Sequence, residues 1–118
     1  MFLKMLKSKL HGATITETKL HYTGSVAIDS DLMAAAGILP YEAVLIADFD
    51  NGSRLETYAV PAPAGSGQVA VLGAAAQLIK PGDKVIIFSF TYCTTDEAAE
   101  HKPKVIILDE NNKVKQFG

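Results

Sequence analysis

The sequence sets a serine directly after a glycine in the stretch His21-Tyr22-Thr23-Gly24-Ser25-Val26-Ala27-Ile28-Asp29. A serine hydroxyl can attack the carbonyl of the residue before it and turn that peptide bond into an ester. A glycine in that position has no Cβ to obstruct the strained geometry. Removal of the Ser25 α-proton would then eliminate the ester, cut the chain and leave dehydroalanine. Hydrolysis of dehydroalanine gives a pyruvoyl group, a ketone next to an amide. A Gly-Ser pair is also an ordinary turn, and the dipeptide alone leaves both readings open.

Other residues could serve such a centre. Lys9 and His11 are two apart, so on a strand they face one side, where they could bind an anion and move protons or simply form a solvated polar face. In Arg54-Leu55-Glu56-Thr57-Tyr58, alternation puts Arg54, Glu56 and Tyr58 on one face and Leu55 and Thr57 on the other. Arg offers a planar, permanently charged fork for a carboxylate, and Tyr is a plausible proton donor. An ideal strand separates Arg54 from Tyr58 by about 13 Å, at roughly 3.3 Å per residue. One substrate bridges them only if the side chains lean inward or come from different copies of the chain. The segment Leu72-Gly73-Ala74-Ala75-Ala76 has no side-chain chemistry, but its small residues would let backbone amides approach a ligand; a tightly packed turn has the same composition. His11, His21 and His101 lack metal-ligand spacing, and Cys93 is the single cysteine, so no metal site is expected.

The elements that must position these groups are short. A chain of 118 residues makes one domain with one core. Its formal net charge of −2 argues against broad nucleic-acid binding, and no apolar run approaches the roughly 20 residues that span a bilayer; the cytoplasm is the default expectation. The pattern predicts strand over residues 3–17 and again from Leu20 to Ile28, then a helix from Asp29 or Ser30 to a stop at Gly37. Asn51-Gly52 predicts a hairpin between strands 43–50 and 53–60. A strand over 68–73, a helical turn over 74–79, a strand over 84–92 buried on both faces, a polar turn and a last strand over 104–109 follow, and the tail is expected to fray. Six or more short strands with small helical turns fit a mainly β barrel better than a βαβ sheet.

The ordered series Lys9-Leu10-His11, His21–Asp29, Ala35–Leu39, Asn51–Ala59, Gly73–Ala76, Gly82-Asp83 with the following Val-Ile-Ile-Phe, and Lys102-Pro103 with Val105 resembles the pyruvoyl-dependent aspartate 1-decarboxylases. The resemblance covers nearly the whole chain, from Met5 to Asp109. It implies a double-psi β-barrel with a few short helical turns, assembled as a homotetramer with active sites between subunits. It also implies self-cleavage at Gly24-Ser25 into a β-chain, 1–24, and an α-chain, 25–118. The implied cofactor is a covalent pyruvoyl group made from Ser25, with no metal. The implied activity is decarboxylation of L-aspartate to β-alanine, through an imine with that group, for pantothenate and coenzyme A synthesis. Position by position, Thr57 would polarise the Gly24 carbonyl and Tyr58 would donate the proton. Lys9 and Arg54 would bind carboxylate, His11 and Tyr22 would line the pocket, and the backbone of Gly73, Ala74 and Ala75 would contact substrate. The chain departs from the family pattern at Leu72, where Asn usually precedes the Gly-Ala-Ala-Ala run. A lost donor at an oxyanion-like position costs about 10²- to 10³-fold in rate. The departure therefore implies slower self-processing, a substitute donor such as Gln77 (the nearest amide in sequence), or a non-processed barrel homologue acting as a binding or assembly module.

Overall fold

Alternating burial, not continuous hydrophobicity, shapes the strands. The structure, a computed structural model, describes residues 1–118. In chain order the elements are β1 (Phe2–Thr14), β2 (Glu17–Lys19), β3 (Ser25–Asp29), α1 (Ser30–Ala36), β4 (Ala43–Asp48), β5 (Arg54–Ala62), β6 (Val69–Leu72), a 3-10 turn (Ala74–Gln77), β7 (Lys84–Thr94), α2 (Thr95–Glu100), β8 (Lys104–Leu108) and β9 (Val114–Phe117). The protein is mainly β. Its nine strands join in one sheet in the order β2-β6-β3-β5-β4-β7-β1-β8-β9. Past the end of β1, Ile15 N–H donates to Asp83 O and Thr16 N–H to Val69 O, each at 2.9 Å. The chain that starts in one half of the sheet thus reaches β6 in the other half, and the sheet curls around its core. That core draws Leu10, Ile28, Ile46, Ile87 and Ile106, all essentially inaccessible, from five different strands. Each such side chain contributes roughly 1.5–3 kcal/mol relative to exposure. No helix is long and apolar enough to cross a membrane.

Helix α1 begins where the sequence predicts. Asp29 caps it, accepting Asp31 N–H at 2.9 Å, and Gly37 closes it in the left-handed region. The same carboxylate accepts Gly67 N–H at 2.9 Å and Gly65 N–H at 3.1 Å. Burial pushes the Asp29 carboxyl up, but the amides of Gly67, Asp31 and Gly65 outweigh it and hold the group below its ordinary range.

Four sequence expectations need correction. The stretch Leu20–Gly24 is not strand; it bends, because Gly73 N–H donates to Lys19 O at 2.7 Å and draws this segment across the start of the Gly73–Ala76 run. The Asn51-Gly52 hairpin exists, but β4 stops at Asp48 and β5 starts at Arg54. The Asp48 and Asn51 carboxylate and amide oxygens take Asp50 N–H and Ser53 N–H at 2.7 and 2.8 Å, which widens the turn. Strand β7 is flanked edge to edge by β1 and β4 yet buried on one face only: Val85, Ile87 and Ser89 are buried, while Ile86, Phe88 and Phe90 are half-buried. Finally, the tail does not fray. β9 pairs antiparallel with β8, and the buried Asn112 ties the turn down, donating to Thr14 O and Gly67 O at 2.8 Å and accepting Thr14 N–H at 2.7 Å.

Candidate active site

Strand β3 lies between β5, parallel to it, and β6, antiparallel to it. Ser25 is paired with Leu72 and Val26 with Ala59. Two steps back along the β5 register, Gly24 comes beside Thr57; one step along the β6 register, it comes opposite Gly73. The side-by-side packing at Gly73 is very tight. A Cβ there would lie 2.7 Å from Gly24 Cα and 3.0 Å from both Gly24 N and Tyr22 O. Its backbone, at φ 87° and ψ −152°, also occupies a region that is essentially glycine-only. Gly73 is therefore the obligate glycine of this corner. Gly24 is not: its φ is not in the left-handed region, and a Cβ on it would meet only Leu72 O, at 3.9 Å. In the resting chain, then, a Cβ at Gly24 would meet no clash.

Gly24 opens onto a cleft of about 360 Å³ lined also by Leu55, Glu56, Thr57, Leu72, Ala74, Ala75 and Leu78. Ser25, the next residue, is buried at 5% exposure and does not line the cleft, whereas Gly24 itself is exposed. Five of the predicted residues, Gly24, Ser25, Thr57, Ala74 and Ala75, are thus gathered in one place with Gly73 beneath them. Tyr22 joins them through the loop: it is exposed, with Lys19 Nζ 5.6 Å above its ring. Leu72 supplies an apolar wall, and Gln77 is exposed and does not line the cleft.

Lys9, His11, Arg54 and Tyr58 lie elsewhere. Leu55 and Thr57 are half-buried toward the cleft, and the exposed Glu56 also lines it, while the exposed Arg54 and Tyr58 do not. Along the sheet, His11 pairs with Ile86, Ile86 with Ala47, and Ala47 with Arg54. Three ladder spacings of about 4.8 Å put roughly 14 Å between His11 and Arg54. Lys9 lies in the next row, opposite Phe88. A smaller cleft of about 230 Å³ runs over this face between Phe49, Gly52, Arg54, Ile86 and Phe88. His11 meets the Phe49 ring edge-on at 5.6 Å and 78°, and its Nδ1 is buried without a hydrogen-bond partner. The Tyr58 ring rests beside Tyr41, 6.2 Å away.

Electrostatics fix the loops that carry these groups. Glu42 accepts Lys7 Nζ at 2.8 Å, Leu39 N–H at 3.0 Å and the Ser89 hydroxyl. Burial pushes the Glu42 carboxyl up, but Lys7, Ser89 and Leu39 together hold it below its ordinary range. The loop bearing Tyr41 is thereby tied to β1 and β7. Below the β4–β5 turn, burial first and the neighbouring Asp83 second push the Asp48 carboxyl up to about 6.

The sequence profile described as "Aspartate decarboxylase" matches residues 1–115. This chain belongs to the aspartate decarboxylase family. It is 54% identical over 114 residues to the aspartate 1-decarboxylase of Moorella thermoacetica, covering 97% of this chain and 89% of that one. It is 50% identical over 117 residues to that of Bacillus subtilis, with 99% and 92% covered, and 49% identical over 117 residues to that of Clostridium beijerinckii, with 99% and 94% covered. For a member of the aspartate decarboxylase family, the sequence reading missed Leu55, Leu78, Phe49 and Tyr41 as neighbours of the site. Leu55 was visible in the alternation of β5. No local signal marks Leu78, Phe49 or Tyr41, whose placement comes from contacts between distant segments.

Proposed function

We propose that this protein decarboxylates L-aspartate to β-alanine and CO₂ after cutting itself between Gly24 and Ser25. Family membership supports the substrate. The observation that carries the self-cleavage is the junction of Gly24 with Gly73 and Thr57 at the mouth of the cleft. The residues there fit a pyruvoyl group formed in place: Ser25 is buried next to Gly24, Gly24 lines the cleft, and no side chain on Gly73 intervenes.

In this reading the Ser25 Oγ attacks the Gly24 carbonyl while Thr57 donates a hydrogen bond to the developing oxyanion. The Gly24-Ser25 C–N bond breaks to give an ester and a free Ser25 amine. Loss of the Ser25 α-proton expels Gly24 as a carboxylate and leaves dehydroalanine. Its imine tautomer takes up water and releases ammonia, leaving the ketone. When present, the pyruvoyl group supplies a carbonyl conjugated to an amide, which accepts the electron pair left behind as CO₂ departs. The chain's own residues bind and protonate. Arg54 holds the side-chain carboxylate of aspartate through its two-pronged guanidinium, and Lys9 adds a second positive charge. Tyr58 Oη delivers a proton to the former α-carbon. The departing α-carboxylate must lie away from both cations, because tight binding of that group before the reaction would slow its loss.

Arg54, Lys9 and Tyr58 face away from Gly24 within one chain. The reading therefore requires a second copy to bring its outer sheet face against the cleft, and a double-psi homotetramer with sites between subunits does this. The product then serves pantothenate and coenzyme A synthesis in the cytoplasm. Leu72 on the cleft wall is the one feature favouring a second reading, an uncut homologue that acts as a binding or assembly module. Intact mass of the purified chain and of Ser25→Ala separates the two. Pieces of 1–24 and 25–118 in the parent, with the larger one modified by borohydride or hydroxylamine, and a single uncut, inactive Ser25→Ala chain are expected. Cleavage in Ser25→Ala, or a parent that never cuts, would sink the proposal.

A further inference from the structure

Three carboxylates converge below the β4–β5 turn, from Asp48, Asp50 and Asp83; one oxygen from each lies within 4.8 Å of the others. Each chain segment anchors its acid to the backbone. Asp48 Oδ1 takes Asp50 N–H at 2.7 Å, and Asp83 Oδ2 takes Lys80 N–H at 3.0 Å. Asp50 Oδ2 lies 3.4 Å from Lys84 N–H. The neighbouring ammonium groups are engaged elsewhere: Lys80 Nζ on Ala76 O at 3.3 Å and Lys84 Nζ on Thr14 Oγ1 at 2.6 Å. Asp48 is 3% exposed, and its Oδ2 is buried with no hydrogen-bond partner. An ionised oxygen in that position loses its hydration and gains nothing in return. A cation or a proton would complete it.

We infer that Asp48, Asp50 and Asp83 form a weak site for a hard divalent cation of the calcium type. All the ligand atoms are carboxylate oxygens, the donor set such ions take, and metal–oxygen distances of about 2.3–2.6 Å place several oxygens around one ion at the spacing observed. Asp50 is exposed, which leaves room for water to fill the remaining coordination positions. The ion would clamp the β4–β5 turn to the start of β7. That turn carries Phe49, packed on His11, and leads directly into Arg54. Histidine and cysteine spacing gave no sign of this site, because its ligands come from two separate turns.

The test needs no assumption about catalysis. The full chain is stripped with chelator, returned to neutral pH, and melted in calcium chloride from zero to about 10 mM at constant ionic strength, well above the weak end of oxygen-ligand calcium affinities. At ten times the dissociation constant the midpoint should rise by ~5 °C for a chain of 118 residues. Asp48→Asn, Asp50→Asn and Asp83→Asn should each abolish the rise, while Glu100→Gln, at the end of α2 beyond the opposite end of β7, should keep it. A parent midpoint that ignores calcium overturns the proposal. So does a rise that survives Asp48→Asn. A parent midpoint that ignores calcium, with Asp48→Asn melting higher than the parent, would assign the buried oxygen to a proton shared with Asp83 and likewise overturns it.

Discussion

Replacing Gly73 with alanine should damage both the fold and the self-cleavage, through two effects that can be separated. The backbone at φ 87° and ψ −152° strains any residue with a Cβ by about 1–3 kcal/mol. The added methyl would also lie 2.7 Å from Gly24 Cα and 3.0 Å from Gly24 N and Tyr22 O. All three are backbone atoms and cannot rotate away. Overpacking of this kind adds about 1–3 kcal/mol, so a total loss of ~2–6 kcal/mol is expected. With an unfolding entropy of ~2.1 cal/mol/K per residue over 118 residues, the melting midpoint should fall by ~8–24 °C. Whatever relief the chain finds must shift Gly24 out of its place between Gly73 and Thr57, so cutting should slow severely even well below the midpoint. Gly52→Ala is the matched control: it has φ 75° but no atom within 4 Å of the new Cβ. It should show a conformational penalty of only ~1–2 kcal/mol and normal cutting. Calorimetry and a time course of intact mass read both quantities. If Gly73→Ala melts with Gly52→Ala and cuts like the parent, the packing of Gly73 on Gly24 is not what prepares the bond.

Three further outcomes are expected. Arg54→Ala should lower kcat/KM for aspartate by ~10²-fold, the loss of a two-pronged charged contact, with self-cleavage unchanged; unchanged turnover would remove Arg54 from the substrate site. Leu72→Asn should accelerate self-cleavage by up to about 10²-fold at a stability loss of ~1 kcal/mol, since Leu72 packs against the small cluster of Ala27, Ala62 and Ala70; equal or slower cutting in a pulse-chase of freshly refolded chain would count against a missing donor. The Asp29 and Glu42 carboxyls are both held below their ordinary values of 3.8 and 4.5. Their stabilisation is fully present above pH ~5 and lost as pH falls through those values and below. Urea unfolding from pH 7 to pH 3 should show that decline, and Asp29→Asn combined with Glu42→Gln should flatten it.

Local chemistry made much of the fold legible, but the features set by distant contacts were not. Asp29 and Gly37 announced both ends of α1, and Asn51-Gly52 announced the hairpin, because capping and turn geometry depend on neighbours in sequence. The alternation in Arg54–Tyr58 correctly divided that strand into two faces. It could not reveal that Thr57 comes beside Gly24, which depends on the register of β3 against β5. The tail misled because Val114–Phe117 is exposed at every position and is held by hydrogen bonds and by Asn112, not by apolar burial. β7 misled for the opposite reason: its continuous apolar run is half-buried on its outer face, where Phe88 stacks on Phe90 and Lys4 Nζ lies 4.7 Å over the Phe90 ring. The acid cluster escaped notice because position 83 is remote from 48 and 50 until the sheet closes.

The pairing of β1 gives a cut at Gly24 an unusual outcome. The first 24 residues are not a propeptide waiting to leave. β1 is bonded to β7 along nearly its whole length and to β8 on its other edge, and Leu10, Ala13 and Ile15 stand in the common core. Severing the chain in the loop after β2 breaks one covalent bond and no ladder. The two pieces would remain interlocked as a nicked heterodimer, held together by the contacts that folded the precursor. A freshly exposed carboxylate on Gly24 and the new terminus at position 25 would stay beside each other for the life of the molecule. Such a cut would change the chemistry of a chain end while leaving the architecture almost untouched.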